Sequence, residues 1–180
     1  MFESHITVNM DKNEFIETCN RLNVKHVLIT EDSGSNTPLQ MMTAKFHKTD
    51  SYDTAFNEMI SLSLNFKNVI RKKLEVIGKS KIDCKYEEFH SKFEVPQTQS
   101  QQFLDLVLNL GSHTAKNIAK KTEHRFVSSR NFLIHQNTIS ILKKKFKFLG
   151  TIHEYVVFDD NPNIDDRWVC LDCPLKRVLL

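Results

Sequence analysis

Two stretches of this chain carry the same phrase: Glu3-Ser4-His5-Ile6-Thr7-Val8 and Glu88-Phe89-His90-Ser91-Lys92-Phe93. Both read Glu-x-His-x-(Thr or Lys)-apolar, and His5 and His90 stand about 85 positions apart. Side chains alternate between faces along a β-strand. Each phrase therefore reads as a half-buried strand. Its Glu, His and Thr or Lys share one face, and its mostly apolar neighbours share the other. A fold for this chain has to cover one face of both strands and give the other face polar company.

The surroundings of the phrase repeat as well. After the first strand, Asp11-Lys12-Asn13-Glu14 has the form of a capping box, followed by Phe15, Ile16, Cys19 and Leu22 at helical spacing. Residues 26–31 and 40–48 read as strands. A helix from Ser51 carries Ala55, Met59, Leu62 and Phe66, and 69–77 is a fourth strand. From Glu87 the order restarts. A strand runs to Val95, and a helix with Phe103, Leu106, Val107 and Leu110 ends at Gly111. Strands follow at 114–121 and 125–132, then a helix over 138–149 stopped by Gly150, then a strand at 152–158. Each half reads strand, helix, strand, strand, helix, strand, which is the ferredoxin-like order. The expected fold is α+β: duplicated ferredoxin-like β-α-β-β-α-β halves with a shared polar groove. Residues 1–180 form one domain of two pseudo-repeats, 1–80 and 84–160, with a tail over 161–180.

Composition narrows the function classes. The chain has 180 residues, 40% of them hydrophobic and 26% charged, which is enough to build a core. Its net charge of +3 suits a phosphate-bearing ligand and is too small to demand nucleic acid, so no stable DNA binding is expected. No apolar run approaches the roughly eighteen residues of a membrane helix. The first residues lack the basic and apolar regions of a secretory signal, so a cytoplasmic location without membrane association is expected. Cys170 and Cys173 form a lone C-x-x-C without a second pair and read as ordinary thiols, while Cys19 reads as core.

The groove should gather chemistry. The third strand of the first half adds Lys45 and His47, and its counterpart adds Arg125 and Arg130. With Glu3, His5, Thr7, Glu88, His90 and Lys92 they make a set in which histidines could move protons beside cations that hold a phosphate. His5 and His90 are the candidate catalytic pair. Thr7, Lys92, Lys45, Arg125 and Arg130 are the candidate phosphate holders, with Glu3, Glu88 and His47 in support. The same residue types allow two further readings. One is a metal site of Glu3, His5, Glu88 and His90, suited to zinc, iron or manganese. The other is a non-enzymatic module for an anionic ligand or a protein partner. Elsewhere, Arg71-Lys72-Lys73 reads as a basic strand edge, His113 as a helix-end cap, and Asp159 to Asp166 as a capped turn.

His5-Ile6-Thr7-Val8 resembles the H-x-T/S-x motif of the two-histidine phosphoesterase superfamily, which carries two such motifs, one in each half of a duplicated ferredoxin-like fold. The resemblance implies a metal-independent phosphoesterase without a cofactor. It would act on a small nucleotide or an RNA-end cyclic phosphate, with His5 and His90 exchanging base and acid roles. Lys92 stands where the second motif of that family has a hydroxyl. Glu88-Phe89-His90-Ser91-Lys92-Phe93 also looks like the E-x-E-x-K strand of the CYTH triphosphate-tunnel proteins, with His90 in place of the second Glu.

Overall fold

Along β1 (Phe2–Val8) the apolar side chains Phe2, Ile6 and Val8 join a core with Phe15, Ala55 and Met59, so that face of the strand looks outward onto helices. Glu3, His5 and Thr7 point the other way. This rule organises the structure, a computed structural model that describes residues 1–31, 39–78, 83–118 and 123–165. After β1 come α1 (Lys12–Arg21), β2 (Lys25–Glu31), β3 (Gln40–His47), α2 (Tyr52–Ser63) and β4 (Val69–Ile77). Then follow β5 (Tyr86–Glu94), α3 (Ser100–Asn109), β6 (His113–Asn117), β7 (His124–Ser129), α4 (Phe132–Leu142) and β8 (Lys147–Asp159). The helices start where a side chain can satisfy their free amides. Asp11 accepts from the Asn13 and Glu14 amides at 2.9 and 3.0 Å, and Asn131 accepts from the Ile134 amide at 3.1 Å. After α3 the chain turns out through Gly111 at φ 71°, a value that a residue without Cβ adopts without strain.

The strands pair antiparallel in the order β1-β3-β2-β6-β7-β5-β8-β4, and β4 returns to β1. The result is a closed eight-stranded barrel. Helices α1 and α2 cover one side of it over a core of Phe2, Ile6, Phe15, Met59 and Leu74. On the other side Phe93, Val127, Phe103 and Ile139 form a second core. Apolar burial of this kind contributes about 25 cal/mol per Å², and it lies outside the barrel, between sheet and helices. The inward face is largely polar: Glu3, His5, Arg71, Lys73, Glu75, Glu88 and His90 all stand on it by register. Val27, Ile29 and Met42 make a smaller apolar patch inside.

The barrel corrects the expectation of duplicated ferredoxin-like halves with a groove between them. The elements follow one another in the order read from the sequence, but the strands that would edge two separate sheets are zipped together. β2 pairs with β6 through Ile29–Asn117, Thr30–Lys116 and Glu31–Ala115, and β4 pairs with β8 from Lys73–Asp159 to Ile77–Glu154. Closure satisfies backbone groups that an open sheet leaves at its edges. The phosphoesterase and hydrolase reading that depended on an open groove between duplicated halves is corrected with it. Three local readings change too. Residues 71–73 are not an edge, because β4 pairs with both β1 and β8. The helix read over 138–149 is α4, which ends at Leu142, and Gly150 lies inside β8 at φ 147°. His113 opens a strand instead of capping a helix. Cys170, Cys173 and Asp166 lie outside the described residues. No helix among the described residues is long and apolar enough to cross a membrane.

Candidate metal centre

Two sets of ligands face into the barrel. In the first, Glu3 and His5 stand on β1, and Glu75 stands on β4 directly across from Glu3. In the second, Glu88 and His90 stand on β5, and Glu154 stands on β8 directly across from Glu88. The two sets occupy the same register positions in their strand pairs. Within each set, one donor atom from every residue lies within 4.8 Å of the others.

The imidazoles are held by their Nδ1 atoms and aimed by their Nε2 atoms. His5 Nδ1 donates to the Thr43 carbonyl at 2.9 Å, and Nε2 meets Glu75 Oε2 at 3.0 Å. His90 Nδ1 lies 2.7 Å from Ser128 Oγ, and Nε2 lies 3.3 Å from Glu88 Oε2 and 3.1 Å from Glu154 Oε2. Cationic side chains hold the carboxylates. Lys73 makes an ion pair with Glu75 Oε1, leaving Oε2 to His5. The same ammonium lies 2.9 Å from Glu88 Oε2, and Arg130 Nε donates to Glu88 Oε1 at 2.9 Å. Lys73 thus bridges the two sets.

Proton affinities follow from this arrangement. Burial disfavours the charged form of both histidines, but their carboxylate neighbours outweigh it. The His5 pKa is raised by Glu75, and that of His90 is pushed up to about 10 by Glu154 and Glu88. Burial also works against ionised Glu75 and Glu88. Lys73 with His5, and Lys73 with His90 and Arg130, nevertheless hold both carboxyls below the ordinary range. Glu3 is pushed up, first by burial and then, against the pull of His5, by Glu75 and Glu154. At neutral pH His90 is an imidazolium. It can serve as an acceptor only after something displaces its Nε2 proton.

Farther along the same interior, Arg71 is 1% exposed and forms a double hydrogen bond with Asp159, at 3.0 and 2.6 Å. The Tyr86 hydroxyl donates to Asp159 and lies 3.2 Å from both Arg71 Nη2 and Arg130 Nη2. This ties β4, β5 and β8 together behind the second set.

The structure brings together Glu3, His5, Thr7, Glu88, His90, Lys92 and Arg130 on the inward face, but not Lys45, His47 or Arg125. Lys45 pairs across from Ser4, and His47 across from Phe2, so both share the outward, helix-facing side. His47 bonds to Ser4 Oγ at 2.8 Å and to Glu58 of α2 at 2.7 Å. Arg125 pairs across from Phe93 and donates to Ser100 Oγ at 3.1 Å. The groove-facing phase assumed for β3 is therefore corrected: Met42 faces inward, and Thr43, Lys45 and His47 face outward. Glu75, Glu154 and Lys73 are the residues sequence reasoning missed. A signal existed in Arg71-Lys72-Lys73-Leu74-Glu75-Val76, where charge at 71, 73 and 75 alternates with apolar 74 and 76.

No protein-family model and no curated protein matches the chain. Among solved structures it is similar to a candidate monooxygenase from Lactobacillus acidophilus NCFM, at 10% identity and a TM-score of 0.32 over 87% of this chain and 92% of that one. It is also similar to a candidate monooxygenase from Fusobacterium nucleatum subsp. nucleatum, at 11% identity and a TM-score of 0.32 over 88% and 92%. Likeness at this level carries no argument about activity, and the chemistry is taken from the chain's own residues.

Proposed function

We propose that the protein binds divalent transition-metal cations through two His/carboxylate sets, Glu3-His5-Glu75 and Glu88-His90-Glu154. The observation that carries the reading is the shared geometry of the two sets. In both, Nδ1 is tethered, Nε2 meets a carboxylate of the facing strand, and a second carboxylate has a donor atom within 4.8 Å, an arrangement common to metal-binding histidines. A cation about 2.0–2.2 Å from nitrogen and oxygen donors would draw each set together by small side-chain rotations. One imidazole with two carboxylates suits zinc, manganese or iron(II) and leaves positions open to an exogenous ligand. Lys73 on Glu75 Oε1 and Arg130 on Glu88 Oε1 act as outer partners, whereas on Glu88 Oε2, which faces His90, a cation would displace Lys73. The cation would take the place of the Nε2 proton, so affinity should rise with pH. We place this activity in the cytoplasm, in keeping with the free thiols of Cys19 and Cys84.

The test is metal uptake by metal-free protein, measured by equilibrium dialysis and elemental analysis and by melting with added zinc, manganese or iron(II). A cation at a hundred times its Kd adds about 2.7 kcal/mol, or roughly 5–11 °C for a chain of this size. His5→Ala and His90→Ala should each remove one equivalent. Wild-type protein that retains no cation and melts unchanged overturns the reading.

A further inference from the structure

The two ligand sets share a plan and differ in where the Lys73 ammonium meets them. Lys73 is 5% exposed and stands on β4, two residues before Glu75. In the first set it pairs with Glu75 Oε1, while Oε2 of the same carboxylate meets His5 Nε2 at 3.0 Å. A cation between His5 and Glu75 Oε2 therefore leaves Lys73 in place. In the second set the ammonium lies 2.9 Å from Glu88 Oε2, and His90 Nε2 lies 3.3 Å from that same oxygen. Lys73 there already holds the position beside His90 that a cation would take. Arg130 Nε donates to the other oxygen, Oε1, at 2.9 Å, so each oxygen of Glu88 faces a positive charge.

A buried ammonium keeps a counter-charge, because leaving it unpaired in a desolvated interior is costly. Displaced from Glu88, Lys73 still has Glu75 as a partner, and its whole charge then bears on the first set. A cation already in the first set draws on the same Glu75 carboxylate and drives the ammonium toward Glu88. Such coupling is reciprocal: each cation weakens the binding of the other by the same factor. We propose that Lys73 gates the second set. A cation enters Glu3-His5-Glu75 first, and Glu88-His90-Glu154 fills only when the ammonium gives way, so two equivalents bind in a fixed order and with negative coupling. The gate rests on the metal reading of both sets.

The experiment is a calorimetric titration of zinc into metal-free protein at neutral pH, for wild type, His5→Gln, His90→Gln, Lys73→Gln and Lys73→Met. Each is measured below its own melting transition. Wild type should take up two equivalents whose affinities differ by at least about tenfold, within the roughly 5–150-fold span of site-to-site couplings. His5→Gln should lose the tight equivalent, and His90→Gln the weak one. In both Lys73 variants the weak equivalent should tighten more than the tight one, shrinking the gap by about fivefold or more. Loss of fold would loosen both equivalents, and a general loss of positive charge would tighten both alike. Equal affinities in wild type, a tight equivalent that belongs to His90, or an undiminished gap in a folded Lys73 variant overturns the gate and spares the metal reading. No zinc uptake by wild type overturns both. If neither Lys73 variant folds, the order read from His5→Gln and His90→Gln decides.

Discussion

Replacing Lys73 by methionine removes an ammonium that touches both ligand sets while keeping most of the side-chain volume. Glu75 and Glu88 are fully buried, and Lys73 makes an ion pair with each. After the change Glu75 retains His5, and Glu88 retains His90 and Arg130. Breaking a buried pair by deleting one partner costs about 3–5 kcal/mol, because the other charge stays desolvated. For a chain of this length each kcal/mol moves the melting temperature by roughly 2–4 °C, so Lys73→Met should melt about 6–20 °C below wild type at pH 7. The pH dependence has a definite sign. Both carboxyls have a folded-state pKa below the ordinary value, so their stabilisation is present above about pH 4.3 and is lost as pH falls through the folded pKa. The gap between wild type and variant should be widest at neutral pH and should close in acid. Adding Glu88→Gln to Lys73→Met should recover part of the loss, since one unpaired charge is then gone. The assay is thermal unfolding followed by circular dichroism from pH 3 to pH 8. A variant within about 2 °C of wild type at pH 7 would refute the view of Lys73 as the bridge.

His90 titrates in the opposite sense. Its pKa, raised to about 10, gives metal-free protein a stabilisation that is whole below about pH 6.5 and disappears as pH rises through about 10. Wild type should therefore lose melting temperature between pH 7 and pH 10 more steeply than His90→Gln, and parallel curves would count against the imidazolium. Asp159→Asn leaves the buried Arg71 guanidinium short of its counter-charge and should cost about 3–5 kcal/mol by urea unfolding; a loss under 1 kcal/mol would contradict the pairing. Phe93→Ala, in the core between the barrel and α3, should cost about 3–5 kcal/mol in the same assay while zinc stoichiometry stays unchanged.

Much of the inward face was legible in the two phrases. Ile6 and Val8 against His5 and Thr7, and Phe93 against His90 and Lys92, announce which side meets helices, because apolar burial and the period of two agree there. Barrel closure was not legible. It depends on β2 meeting β6 and β4 meeting β8, pairings between strands far apart in sequence that no local pattern encodes. The third ligand of each set was hidden for the same reason. Glu75 and Glu154 reach their partners through register, and Lys72 blurred the alternation that would have exposed Arg71, Lys73 and Glu75. Lys45 and His47 misled because polar residues on β3 were assigned to the polar face. In the structure His47 is buried on the helix side, where Ser4 and Glu58 satisfy both ring nitrogens.

The most direct test of the central claim is the protonation of the two imidazoles during metal titration, followed by nitrogen-15 NMR of histidine-labelled protein. In metal-free protein at pH 7, both nitrogens of His90 should carry protons. As zinc is added, Nε2 of His5 and His90 should lose its proton and take a metal-bound shift, while His5 Nδ1 keeps its hydrogen bond to Thr43. Nε2 protons that persist on both rings in excess zinc would contradict the account.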